Sequence, residues 1–153
     1  DTMVTWIKRA DGTWAFDYTI FDRWGEFMMS VGIAGSRTRV TIDTKDFIST
    51  IERASLIITE RLKNPLRISF TEGKVVVRCQ TNLGRVVDEF SAACEGDEVE
   101  IGFNNRYLLD ALRNARTEQV RMEISGPLSP VKVLPVEGND FLYLVLPVRF
   151  KND

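Results

Sequence analysis

The stretch EIGFNNRYLLDALRNA (residues 100–115) packs a strand, a cap and a helix into sixteen residues. Its opening residues alternate polar and apolar, as one face of a sheet requires. An Asn pair, Asn104-Asn105, ends the strand and offers a side-chain oxygen to the orphan amides of a helix start. The helix expected from about 105 to 116 carries an apolar stripe of Leu108, Leu109 and Leu112. Arg106, Arg113 and Arg116 decorate the rest of its surface. Two accounts of these arginines stand. Arg113 and Arg116 lie in the last turn, where cations complement the helix dipole. Alternatively, they join Arg53, Arg61 and Lys63 of an earlier helix in facing one polyanion. Spacing alone favours the first account.

Working outward, RVTID (39–43) alternates as a strand and leads into DTKDFISTIERASLIITERLKNP (43–65). Asp43 or Thr44 can cap this second helical run, and Asn64-Pro65 stops it, because proline disfavours helical geometry in the residue before it. Taking Phe47 as zero, Ile51, Ala54, Ile58 and Leu62 share an arc that reads as a core stripe. Leu56 falls at about 180° and Ile57 at about 280°, both off that stripe. Such residues are either ordinary surface apolar groups or part of an interface.

The remaining runs read as strands. LRISFTEGKVVVRCQ (66–80) is a hairpin with Glu72-Gly73 in its turn, followed by GRVVDEFSAAC (84–94) and DEVEIGFN (97–104). QVRMEIS (119–125), PVKVLPV (130–136) and FLYLVLPVRF (141–150) follow the later helix. The order is one strand-helix-strand-strand-strand unit used twice, a repeat of architecture. Two such units predict an α+β fold with both helices packed on antiparallel sheets. The last run is apolar on both faces and contains Pro147, which belongs at an edge or a bulge. It is either a buried strand or an edge that invites cover by a peptide.

Composition narrows the chemistry. The 153 residues allow one domain, or one domain plus a fragment of another, at net charge −2 and without histidine. Histidine-based acid–base catalysis and Ser/His or Cys/His pairs are therefore excluded. No GxxxxGK[ST] or GxGxxG phosphate loop occurs. Asp88, Glu89, Glu95, Asp97, Glu98 and Glu100 lie along strands and turns, where a solvated face is the default over a paired-carboxylate site. Cys79 and Cys94 have no metal-ligand spacing and read as buried reduced thiols of a cytosolic protein. No cofactor, metal or membrane span is expected. Residues 1–36 show strand-like stretches around a turn at Asp11-Gly12, then the aperiodic MMSVGIAGS (28–36). A start without Met and an end at RFKND suggest a piece of a longer chain.

The segments IGFNNRYLLDAL (101–112), EQVRMEISGPLSPVKV (118–133) and YLVLPVR (143–149) together resemble the C-terminal domain of the bacterial DNA polymerase III beta subunit, the sliding clamp. IERASLI (51–57) and VVDEF (86–90) are similar to the same family. YTIFDRWGEF (18–27) resembles the closing strand of the preceding clamp domain, whereas MMSVGIAG (28–35) departs from it. The resemblance implies a DNA clamp fold over 37–153, with 1–36 a partial remnant of the middle domain or a linker. It implies no catalysis, and a cytoplasmic processivity factor that encircles duplex DNA as a head-to-tail homodimer. Its partners would be the polymerase III alpha subunit, the clamp loader and other proteins with clamp-binding peptides. By position, Arg53, Arg61, Lys63, Arg106, Arg113 and Arg116 would face DNA. Leu56, Ile57, Asp88 and Glu89 would form the subunit interface. Leu144, Leu146, Pro147, Val148 and Arg149 would form one wall of a peptide pocket. The lone chain would be monomeric, and the alternative is a clamp-derived interaction domain with no ring or DNA role.

Overall fold

The computed structural model describes residues 5–12, 14–17, 23, 37–59 and 64–150. The chain divides into two compact units, Asp1–Gly35 and Ser36–Asp153. In the first, β1 (Thr5–Lys8) pairs antiparallel with β2 (Trp14–Asp17) around the expected turn, where Gly12 takes φ +87°. Apart from Arg23, residues 18–36 lie outside the described residues, and the readings of 18–27 and 28–36 lie there with them.

The second unit follows from its caps and periodicities. β3 (Thr38–Asp43) ends at Asp43, whose Oδ1 accepts the amide of Asp46 at 3.0 Å and so starts α1 (Thr44–Ser55). α1 buries Thr44, Phe47, Thr50, Ile51 and Ala54, the i, i+3, i+4, i+7 stripe of an amphipathic helix. Then come β4 (Leu66–Thr71), β5 (Lys74–Thr81), β6 (Gly84–Ser91), β7 (Ala93–Gly96) and β8 (Val99–Phe103). Asn104 caps α2 (Asn105–Ala115), its Oδ1 accepting the amides of Arg106 and Tyr107 at 3.0 and 3.3 Å. β9 (Gln119–Ile124), β10 (Val131–Pro135) and β11 (Tyr143–Val145) complete the chain.

Two antiparallel sheets result, in the orders β11-β10-β9-β3-β7 and β6-β5-β4-β8. Within this second unit the two strand-helix repeats exchange their leading strands. β3 pairs with β9, the strand after the other helix, and β8 pairs with β4 in the same way. Neither repeat can therefore complete its sheet alone. α1 packs on β3, β5 and β6 and against α2, while α2 packs on β10 and β11. One continuous core fills the space, built on Phe47, Phe70, Phe103, Leu108, Leu112 and Met122.

Three sequence expectations require correction. GRVVDEFSAAC was expected as one strand, but it splits into β6 and β7. The register Lys74↔Ser91 uses up β5, so the chain beyond Ser91 has no partner there and crosses to the free edge of β3. The first helix was expected to reach Asn64, yet α1 stops at Ser55. The Ser55 hydroxyl bonds back to the Ile51 carbonyl at 2.6 Å, and Leu56 and Ile58 donate to carbonyls three residues back. That tightened turn directs Ile57 and Ile58 onto the core, which a continued helix would not do for Ile57. Residues 60–63 lie outside the described residues. Finally, the strand expected over 141–150 is only β11, so Pro147 lies beyond it, where no ladder amide is needed.

Candidate functional site

Past β9 and β10, the chain from 141 to 148 keeps a period of two. Val145 is buried and Phe141, Tyr143 and Pro147 are half-buried, while Leu142, Leu144, Leu146 and Val148 are exposed. Four apolar side chains thus stand in a row on solvent, with Leu146 at 67 % exposure. Water-facing rows of this kind are uncommon unless something covers them. Leu144, Leu146 and Val148 of the expected pocket wall belong to the row, whereas Pro147 turns the other way. Arg149 is exposed. Leu142 was missed by the sequence reading, since the run is apolar at every position and only the burial pattern singles it out. β11 is the edge of its sheet, so the row also borders unpaired backbone.

The helices present a second candidate surface. α1 and α2 lie against each other, and Arg113 on α2 reaches Glu52 on α1 with Nη2 to Oε1 at 2.6 Å. Arg53, in the last turn of α1, is held by Asp88 of β6 at 2.6 Å and by the Thr50 hydroxyl at 3.1 Å. A cation expected at DNA and an acid expected at a subunit contact are therefore partners of one another. Arg106 and Arg116 are exposed and form no ion pair among the described residues. Arg61 and Lys63 lie outside the described residues. Arg116 is also the residue that ends α2, in the left-handed conformation at φ 53°, ψ 27°.

The expected interface residues fall into two places. Leu56, 82 % exposed, follows α1, with Ile57 half-buried beside it. Asp88 and Glu89 are neighbours on β6, an edge strand, and alternate to opposite faces. Asp88 turns to α1 and Arg53; Glu89 turns outward and pairs with Lys74 at 3.2 Å. These bridges are largely solvated, so each is worth at most about 1 kcal/mol.

Asp88, Glu89 and Glu100 have cationic partners. Glu100 accepts from Arg67 at 3.2 Å, Ser69 at 3.0 Å and Arg78 at 3.4 Å on the outer face of the four-stranded sheet. Among the described residues no group of three or more His, Cys, Asp or Glu could hold a metal ion. Both cysteines are free; Cys79 is buried, and Cys94 is only half-buried, more open than its expected place in the core. Burial pushes both thiols above the usual range, while a hydrogen bond with the Lys74 backbone works the other way at Cys94. Neither thiol is an activated nucleophile. No described helix is long and apolar enough to cross a membrane.

Comparison with known proteins places this arrangement. The sequence profile of the DNA polymerase III beta subunit, C-terminal domain, matches residues 34–149. The beta sliding clamp of Bacillus subtilis strain 168 is 31% identical over 117 residues, covering 74% of this chain and 31% of that protein. The crystal structure of a putative DNA polymerase III beta subunit from Eubacterium rectale superposes with a TM-score of 0.75 at 30% identity, covering 82% of this chain and 33% of that one. The Bacillus subtilis sliding clamp structure gives 0.74 at 29% identity, covering 77% and 32%. The chain thus spans about a third of the length of these relatives. The two helices on two antiparallel sheets are the DNA clamp fold, and the chain belongs to the DNA polymerase III beta subunit family, through the C-terminal domain of that family.

Proposed function

We propose that this chain supplies the C-terminal domain of a sliding clamp, a non-catalytic, cytoplasmic processivity factor of the bacterial replicative polymerase. In the complete ring it surrounds duplex DNA and tethers the polymerase III alpha subunit, repair proteins and, during loading, the clamp loader. The observation that carries this reading is the match to the family over residues 34–149. Residues 1–36 are then a remnant of the middle domain or a linker. The exposed row of Leu144, Leu146 and Val148, with Pro147 and Arg149, is one wall of the pocket for clamp-binding peptides. Leu56, Ile57 and the β6 edge bearing Asp88 and Glu89 meet the first domain of the neighbouring chain in a head-to-tail dimer. By itself the chain is monomeric, and sedimentation as a closed homodimer would contradict that.

The peptide wall is tested by titrating a labelled peptide that carries adjacent leucine and phenylalanine side chains. Leu146→Ala removes exposed apolar surface with little effect on folding, because that surface packs on little in the free chain. Covered by a ligand, the same surface contributes about 1–2 kcal/mol, so the dissociation constant should rise roughly 5- to 30-fold. Leu144→Ala should act in the same direction. Affinity unchanged by both substitutions would remove the assignment.

A second reading, an interaction domain without a ring or a DNA role, draws on the pairing of Arg53 with Asp88 and of Arg113 with Glu52. Those pairs leave Arg106 and Arg116 as the cations most ready for phosphate, with Arg53 and Arg113 reaching it only by exchanging partners. Arg116→Gly separates the two readings. Glycine relieves a left-handed backbone that costs an ordinary residue about 1–2 kcal/mol, against roughly 1 kcal/mol of lost chain stiffness and dipole complement. Net stability should rise by about 0.5 kcal/mol in a urea melt. Duplex binding at low salt should nevertheless weaken, with the slope of log affinity against log salt reduced by about 1. A duplex affinity and salt slope identical to those of the parent chain would favour the interaction-only reading.

A further inference from the structure

We infer that Phe150 is a latch that holds the peptide wall in place, a role that rests on the peptide-binding reading above. After β11 the chain leaves the five-stranded sheet and crosses to β8, the edge of the four-stranded sheet. There the amide of Val148 donates to the carbonyl of Gly102 at 2.7 Å. That is the single backbone bond tying residues 146–150 to β8 among the contacts outside the regular ladders. Two further contacts reinforce it. The Phe150 ring lies beneath the guanidinium of Arg67, with Cζ 3.8 Å from the ring centroid. Gly102 faces the same ring: a Cβ built on Gly102 would stand 3.0 Å from Phe150 Cε1 and 2.4 Å from the Val148 carbonyl oxygen.

The three residues come from three places in the sequence, and each has a reason to be what it is. Gly102 is the outward position of β8 opposite Arg67 on β4, so the missing side chain leaves a flat seat beside the guanidinium. Phe150 fills the seat. Arg67 is oriented from its other side by Glu100, at 3.2 Å, so it is presented to the ring as a fixed plate. Leu146 and Val148 lie between two fixed points, β11 at one end and this seat at the other. Their side chains face solvent, Leu146 more than Val148, so packing of their own orders them only in part. Without the seat, residues 146–150 would be anchored only at β11, and a segment not tied down at its far side frays. A ligand would then have to order the wall as it binds, at the expense of affinity.

The test uses the full chain with Phe150→Ala, Phe150→Leu and Gly102→Ala, read by amide hydrogen exchange at Val148 and by titration of the leucine- and phenylalanine-bearing peptide. Phe150→Ala should lower protection of the Val148 amide at least tenfold. It should weaken the peptide about tenfold with little change in the unfolding midpoint, since the ring lies outside the main core. Phe150→Leu should restore most of both, and Gly102→Ala should reproduce the loss by filling the seat from below. Protection of Val148 unchanged in Phe150→Ala would overturn the latch whatever the peptide does. Protection lost with peptide affinity unchanged would overturn its role in binding. Absence of any peptide binding by the parent chain up to millimolar concentration would overturn the peptide-wall reading itself, and exchange at Val148 would still judge the latch separately.

Discussion

Replacing Gly96 by alanine is expected to destabilise the C-terminal unit by about 3–5 kcal/mol, a large share of the roughly 5–15 kcal/mol that typical domains possess. Gly96 closes β7 at φ +101°, and a Cβ there would stand 1.9 Å from the Arg37 carbonyl oxygen and 3.0 Å from its carbon. Those are backbone atoms, so no side-chain rotation relieves the clash. The start of β3 would have to retreat. That retreat strains the Asp97 amide bond to the Arg37 carbonyl at 3.2 Å and the Thr38 hydroxyl bond to the Asp97 carbonyl at 2.6 Å. Unfavourable backbone conformation contributes about 1–2 kcal/mol, and each disrupted hydrogen bond about 1 kcal/mol more. Gly138→Ala is the control, since Gly138 also has positive φ, +76°, but nothing lies within 4 Å of its built Cβ. It should cost only about 1 kcal/mol. Urea denaturation of both variants measures the difference. Equal midpoints would mean that β7 does not close against β3 as tightly as the geometry requires.

Phe47→Ala should have a comparable effect, about 3–5 kcal/mol. Phe47 is fully buried on the inner stripe of α1, and its ring stands 5.3 Å from that of Phe90 at 46°. Truncation leaves a cavity between α1 and β6, and it removes a tilted aromatic pair worth about 0.5–1.5 kcal/mol beyond its area. Leu56→Ala, on a residue 82 % exposed just past the same helix, should change stability by less than about 0.5 kcal/mol. The contrast reads directly which side of α1 faces the core. A Leu56 variant as damaged as the Phe47 variant would show that the turn after α1 packs inward instead. Loss of Phe47 should also loosen the hold of β6 on α1, which places Asp88 against Arg53.

Much of this arrangement could be read from local sequence. The cap at Asn104 followed by Leu108, Leu109 and Leu112 specifies α2 through interactions spanning no more than a few residues. Asp43 with the Phe47, Ile51 and Ala54 stripe does the same for α1, and Glu72-Gly73 does it for the β4–β5 hairpin. The apolar row was not legible as an alternation, because 141–148 is apolar at every position; Leu144, Leu146 and Val148 came from the family resemblance, and Leu142 was passed over. The end of α1 was misjudged because the stop at Asn64-Pro65 was the more prominent signal. The Ser55 back-bond that ends the helix earlier is also available to serines that stay helical.

Taken alone, the sequence determined that this protein has two amphipathic helices among many antiparallel strands, and that histidine chemistry is closed to it. Periodicity and caps are short-range, so they survive without knowledge of the rest of the chain. The tertiary structure alone decided that β3 joins β9 while β8 joins β4, and that β7 leaves β6 for β3. It likewise decided that Arg53 is held by Asp88, 35 residues away, and that Phe150 lies over Gly102. Backbone ladders look alike from any strand, and a salt bridge has no sequence period. Their partners are chosen only when all the apolar faces must be buried at once, and that choice belongs to the whole fold.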